Sequence, residues 1–222
     1  MIRILAVDTS TAWGGTALLE SDGSTTRLVA EVGLSVFDSL AARLMPVVDL
    51  AVAAAGWDRS SIDLYAAARG PGSFTGIRVG LGLLAGWSLA SGRPGVGIGT
   101  LDAVAEAYGP AEADRLPVIP AGRGNVYRAR FDPSSSPPKL LAGPWAGPLE
   151  RALEGEDHGV VLAPRDLAFS ALSPGLRAAV APTSIAAAVG RLAARRLAAG
   201  LSDGDAPVPL YVRPSYAEAA SS

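Results

Sequence analysis

The segment IDLYAAARGPGSFTGIRVGLGLLAGWSLAS, residues 62–91, decides the fold. Ile62 to Ala68 is a short apolar run of strand length, and Ile77 to Ser91 is an apolar stretch of helix length closed by Gly92 and Pro94. Between them lies Gly70-Pro71-Gly72-Ser73-Phe74-Thr75-Gly76. A strand that turns through glycines into a helix is the basic step of an α/β fold. Glycines there let the backbone turn tightly and approach a partner closely, and a helix start offers free N–H groups to an anion. The turn lacks the lysine of a P-loop, and its third glycine falls one place late for the dinucleotide fingerprint. Spacing alone leaves two readings, a phosphate contact or a structural turn that lets the helix dock. The helix itself is apolar on nearly every face, with Gly76, Gly80, Gly82 and Gly86 as small contacts, so it is either buried or part of an interface.

Upstream, Ile2–Val7, Thr16–Leu19 and Leu28–Val32 are three apolar runs with polar, glycine-rich joints, which predicts a β-meander. Asp8-Thr9-Ser10 ends the first run. An aspartate there suits a hydrated metal beside a nucleotide, or a turn cap bonded to its own backbone. Leu40 to Ala55 has apolar residues at helical spacing, with Pro46 as an internal breaker.

Downstream, Val96–Ile98 predicts a strand, and Thr100 or Asp102 is placed to cap a helix that runs to Tyr108. The chain turns polar and proline-bounded over 109–116, and then strands are expected at Val118-Ile119, Val126–Phe131 and Gly159–Ala163. A long Ala-rich helix, Ile185–Ala199, is expected behind a Thr183 or Ser184 cap, followed by an extended tail at Val208–Arg213. The order predicts an α/β protein of two similar lobes, residues 1–108 and 109–222, each a mixed β-sheet with flanking helices. The late helix and tail could pack back on the first lobe.

Composition narrows the function. The chain has 222 residues, 49% of them hydrophobic, enough for a real core. It has no cysteine, which excludes disulfides, thiolate nucleophiles and Cys-ligated metals. His158 is its one histidine and cannot pair with a second to hold a metal. No G-x-S-x-G elbow is present. A net charge of −2 predicts no bulk electrostatic hold on nucleic acid. Arg191, Arg195 and Arg196 on the late helix carry no interleaved aromatics, so they are read as a solvated face. The start shows no signal-peptide cleavage pattern, and Ile77–Ala90 is shorter than the roughly 20 apolar residues of a membrane span. The expectation is a soluble, cytoplasmic protein.

Several stretches resemble one family. ILAVDTS at 4–10 is similar to the opening of the TsaB/YeaZ (Gcp-like) proteins, and GPGSFTGIRVGLGLLAGWSLA at 70–90 resembles their most characteristic block. Leu44-Met45-Pro46 and the tail Pro209-Leu210-Tyr211-Val212-Arg213-Pro214 are similar too. The resemblance implies an actin-like, Hsp70-type (ASKHA) fold. It also implies a non-catalytic scaffold in tRNA processing, for the threonylcarbamoyl-adenosine at position 37. The implied partner is TsaD, which carries the metal site and does the transfer, with the ATPase TsaE in a larger complex. Pairing with a second copy through the same helices, and tRNA contact only through the complex, also follow.

On that reading Leu40, Leu44, Val47, Ile77, Leu81 and Leu84 are the expected partner or dimer contacts, with Gly76 and Gly80 allowing close helix approach. Asp8, Thr9, Ser10, Gly70, Gly72 and Ser73 form a candidate vestigial nucleotide cleft, with no metal and no cofactor expected. The sequence departs from the family at Pro120–Tyr127, where Asp-Ala-Arg and a Glu-Val-Tyr are usual, and at Leu40-Ala41, where many members have His-Ser. Both departures remove polar groups. The alternative is a nucleotide-binding enzyme of the same fold, kinase-like or peptidase-like, which needs a working cleft.

Overall fold

The computed structural model describes residues 1–35, 40–169, 171–201 and 207–212, with the side chains of Leu40 and Ala41 outside that description. Arg213 and Pro214 of the expected tail also fall outside it.

The three upstream runs form β1 (Ile2–Asp8), β2 (Trp13–Ser21) and β3 (Thr26–Ser35), an antiparallel meander. Helix α1 (Leu40–Ala54) leads to β4 (Leu64–Gly70), which pairs parallel to β1. Helix α2 (Phe74–Ser91) leads to β5 (Gly95–Gly99), parallel to β4, and α3 (Thr100–Tyr108) leaves the sheet. The second half repeats the plan. Strands β6 (Arg115–Gly122), β7 (Asn125–Phe131) and β8 (Leu140–Pro148) form a meander. Strands β9 (Gly159–Ala163) and β10 (Leu176–Val180) then add in parallel on the β6 side, and α4 (Ala186–Ala198) follows. The sheet orders are β3-β2-β1-β4-β5 and β10-β9-β6-β7-β8, the same topology twice. That duplication is the two-lobed, actin-like architecture.

Strands β1 and β4 are buried along nearly their whole length, as expected of strands covered on both faces. One core joins β1, β2, β4 and β5 to α3, α4 and the inner residues Ile119, Phe131 and Leu162 of the second sheet. Helix α4 packs on β1, β2, β4 and β5 of the first sheet, while α3 lies between the sheets, against β4 and β5 of the first and β6 and β7 of the second. A second core lies on the other face of the first sheet, under α1 and α2. A third fills the outer face of the second sheet.

Two expected caps are corrected. Helix α3 begins after Gly99 with no side-chain cap, and both Thr100 and Asp102 lie inside its first turn. Neither Thr183 nor Ser184 caps α4; instead Glu31 of β3 reaches across and accepts from the Ala187 N–H (3.2 Å) and the Ser184 hydroxyl (2.5 Å). A carboxylate at a helix N-terminus satisfies an orphan donor and complements the helix dipole. Fully buried Arg115 ties the end of α3 to the β7–β8 loop, donating to the carbonyls of Ala105, Gly109, Asp132 and Ser135. Arg191 and Arg195 are not simply solvated: both pair with Glu106, so α3 and α4 are also joined by charge.

Candidate functional site

Asp8, Thr9 and Ser10 follow β1 and are buried, each about 1% exposed. They meet the start of α2 directly. The Ser73 amide donates to the Ser10 carbonyl (2.7 Å), and the Thr9 hydroxyl donates to the Gly76 carbonyl (2.7 Å). A Cβ at Gly76 would lie 1.9 Å from the Thr9 carbonyl oxygen, and one at Gly72 would lie 2.1 Å from that of Ser10. Glycine is required there because backbone meets backbone. Gly80 makes the next contact, against the Thr9 hydroxyl.

This joint uses its polar groups internally. Ser73 caps α2 by accepting from the Gly76 amide (3.2 Å). Asp8 Oδ1 accepts from the Ser10 amide (2.9 Å) and hydroxyl (2.6 Å), a turn cap of the kind the sequence allowed. Asp8 Oδ2 has no hydrogen-bond partner among the described residues. Burial pushes the Asp8 carboxyl up to about 6, against the opposing pull of the Ser10 and Thr9 bonds.

Beside the joint, between the lobes, opens a cleft of about 920 Å³. Its walls come from Ser10–Trp13, the start of α2, the end of β6 at 119–122, Pro164–Asp166, Val180–Thr183, Ile185 and the tail. The tail is tied down: the Leu210 amide donates to the Arg69 carbonyl (2.7 Å), and Tyr211 stacks on Phe74 with ring centroids 5.2 Å apart. Arg78 donates to the Tyr211 hydroxyl (3.2 Å) and lies over the Phe74 ring. Thus Ser10, Gly72 and Ser73 line the cleft, while Asp8, Thr9 and Gly70 support it from behind.

The expected helix contacts are corrected. Leu44, Val47, Ile77, Leu81 and Leu84 are 0–7% exposed and pack against β1, β2 and β4 as this chain's own core. Gly76 and Gly80 let α2 approach Thr9, not a partner. The side chain of Leu40 is outside the described residues. The outward face is different. On α2 it presents Gly82, Gly86 and Leu89 beyond Thr75 and Arg78, and on α1 it presents Ala42, Pro46, Leu50 and Ala53 together with Arg43 and Asp49. Leu89 is 88% exposed and Leu50 58%. Positions built for Cβ at Gly82 and Gly86 meet nothing within 4 Å.

His158 is half exposed and bonds to Asp157 and Arg130 in a surface charge network. No cluster of three His, Cys, Asp or Glu side chains that could hold a metal occurs among the described residues, and none of their helices is long and apolar enough to cross a membrane.

The family model for TsaD, tRNA N6-adenosine threonylcarbamoyltransferase, matches residues 36–198. An Escherichia coli protein named tRNA threonylcarbamoyladenosine biosynthesis protein TsaB is 36% identical over 132 residues, 59% of this chain and 55% of its own. The crystal structure of YeaZ from Pseudomonas aeruginosa superposes with a TM-score of 0.75 at 25% identity, covering 96% of this chain and all of that one. The chain belongs to the TsaB/YeaZ family. An uncharacterized Mycobacterium bovis protein is 33% identical over 178 residues, 78% of this chain and 74% of its own. Of the first TsaB relatives, the match spans about half the length, 55% in E. coli and 43% in Haemophilus influenzae.

Proposed function

We propose that this chain is a non-catalytic scaffold subunit of the machinery that forms N6-threonylcarbamoyladenosine at position 37 of tRNA, and that it binds and supports TsaD. Family membership supports the pathway, since the relatives carry that biosynthetic name. One observation carries the scaffold role: the outward face of α1 and α2 is largely apolar, with Arg43, Asp49 and Arg78 as its exposed charges, and it holds two exposed glycines. Glycine inside a helix costs about 1 kcal/mol relative to alanine. Gly82 and Gly86 incur that cost where nothing of this chain demands it. Small residues four apart let another helix approach closely, and Leu89 on α2 and Leu50 on α1 add exposed apolar surface. One histidine and no cysteine leave the metal-dependent transfer to the partner.

Residues 1–108 form the lobe that presents this face and residues 109–222 the second, whose late helix and tail pack back on the first. TsaE joins in a larger complex, a second copy uses the same face when TsaD is lacking, and tRNA is met only through the complex. Such a subunit works in the cytoplasm. The joint of Asp8, Thr9, Ser10, Gly70, Gly72 and Ser73 is vestigial as a nucleotide site, because its amides and hydroxyls are bonded to one another.

Light scattering on the protein alone and mixed with TsaD tests the reading. A heteromeric species is expected, and Gly82→Arg should weaken its formation at least tenfold while leaving thermal stability unchanged or higher. A protein that ignores TsaD yet hydrolyses ATP in the same tube would overturn the scaffold and favour the enzyme. Leu84, one of the contacts the resemblance implies, is unsuited to this test because it is fully buried.

A further inference from the structure

The outward face of α1 and α2 is largely apolar, and the charge it leaves uncompensated has one sign. On α2, Arg78, Gly82, Gly86 and Leu89 follow at intervals of four, four and three residues, so they share one side of the helix. Arg78 is exposed and yet held in place. Its guanidinium carbon lies 3.7 Å from the Phe74 ring centroid, its Nε donates to the Tyr211 hydroxyl (3.2 Å), and the Tyr211 ring stacks in turn on Phe74. Arginines elsewhere on the surface, such as Arg27, Arg93 and Arg151, pair with carboxylates of this chain. Arg78 has no carboxylate partner among the described residues, and its two terminal nitrogens are left to face outward contacts. Arg43 on α1 is likewise exposed with no carboxylate partner among them. Asp49, the exposed acid of the same helix, is already paired with Arg59. The uncompensated charge of the face is therefore two guanidiniums. An arginine fixed before binding has already given up the rotamer freedom that association would otherwise take from it. Its planar fork matches a carboxylate. A second copy of this chain would bring the same two cations to the same face, and like charges set opposite each other disfavour that pairing.

We propose that Arg78 is the polar anchor of this face: its preset fork takes a carboxylate from the partner's helix, and together with Arg43 it makes the face select an acidic partner over a second copy of this chain. This rests on the scaffold reading and names the partner chemistry of its site. The small residues Gly82 and Gly86 admit the partner's helix, and the arginine at the end of their row decides which helix it is. Tyr211 of the tail is a positioning residue in this arrangement, since it acts through Arg78.

Pairing with TsaD and self-association of the full chain are measured at about 0.05 and 0.5 M NaCl, where screening is weak and strong. The two equilibria should respond oppositely. TsaD affinity should fall at least threefold at the higher salt, while self-association should hold or strengthen. Arg78→Glu should weaken TsaD pairing at least tenfold at low salt, remove or reverse its salt dependence, and strengthen self-association. Arg78→Lys keeps the charge without the fork and should recover only part of the affinity. Tyr211→Phe keeps the ring and removes the hydroxyl, so it should cost less than Arg78→Lys and leave the salt dependence in place. An Arg78→Lys protein that binds TsaD as tightly as the parent would overturn the fork. An Arg78→Glu protein that does so would overturn the anchor altogether, while loss of the pair in Gly82→Arg would leave the scaffold reading standing. A parent that ignores TsaD at both salt concentrations would overturn both readings.

Discussion

The two sheets share one strand order but are finished differently. The outer face of the first sheet is covered by two helices, α1 and α2, seated on Leu5, Val7, Leu18 and Tyr65. The outer face of the second is covered by side chains from irregular segments, among them Leu153, Leu167, Phe169 and Leu172. The strand-end loops differ as well. After β1 the chain buries Asp8-Thr9-Ser10 against α2. At the end of β6 and in the turn after it, Pro120–Gly124 is largely exposed and carries no carboxylate. The shared topology therefore sets the frame, and function is assigned to what covers it: a rigid joint and a presentable helix face on one lobe, a plain closure on the other.

The comparison breaks most severely at the joint. Gly76→Val places carbons where the Thr9 carbonyl oxygen sits. Backbone cannot yield as a side-chain tip does, so α2 must lift from β1. A loss of about 3 kcal/mol is expected, at the upper end of overpacking costs, measured by denaturant unfolding. A substitution in the exposed β6–β7 turn, such as Arg123→Gly at its left-handed φ of 52°, should change stability little or raise it. If Gly76→Val unfolds at the parent's midpoint, the joint is not the rigid element described.

Asp8 sharpens the same contrast through pH. Its carboxyl titrates near 6 in the folded chain against an ordinary 3.8. Between those values the folded state binds the proton more tightly than the unfolded one. This contribution to stability is therefore full below pH 3.8, is lost as pH rises through 6, and stays lost above. The span corresponds to about 3 kcal/mol. Asp8→Asn keeps an oxygen to accept from Ser10 and removes the buried charge. The difference in unfolding free energy between variant and parent should grow from pH 4 to pH 7 in the variant's favour. Asp22, Asp58 and Asp132, held below the usual carboxylate range by hydrogen bonds from neighbouring serines and threonines, slope the other way in both proteins and cancel in that difference. A pH-independent difference would mean the carboxylate is solvated.

The first lobe was legible because β1, β4 and β5 are mostly apolar and α1 and α2 are long. Strands β8 and β10 escaped the sequence reading for physical reasons. Gly143-Pro144 and Gly147-Pro148 interrupt β8, whose first five residues are exposed, and β10 is five residues long with only Leu176 buried. The residue types of the joint were legible, but not their use. That Ser73 bonds Ser10, or that Glu31 caps α4 from 156 residues away, needs the folded chain. Helix α2 misled in the opposite way. With Arg78 as its only charged residue it lacks a polar stripe, so periodicity could not tell Leu84, which is core, from Leu89, which is not.

The smallest stability effects carry the sharpest distinction between the lobes. Leu89 on α2 and Leu141 on β8 are both exposed, at 88% and 48%. Changing either to glutamate should shift folding stability by no more than about 0.5 kcal/mol, as surface substitutions do. Their effects on TsaD pairing should diverge. Leu89→Glu puts a charge on the face that holds Gly82 and Gly86, and at least a tenfold loss of affinity is expected, equivalent to about 1.4 kcal/mol. Leu141→Glu charges an edge strand of the other lobe and should leave the titration unchanged. Equal losses in the two variants would place the partner across both lobes, and the division of labour between the helix-covered and loop-covered sheets would have to be abandoned.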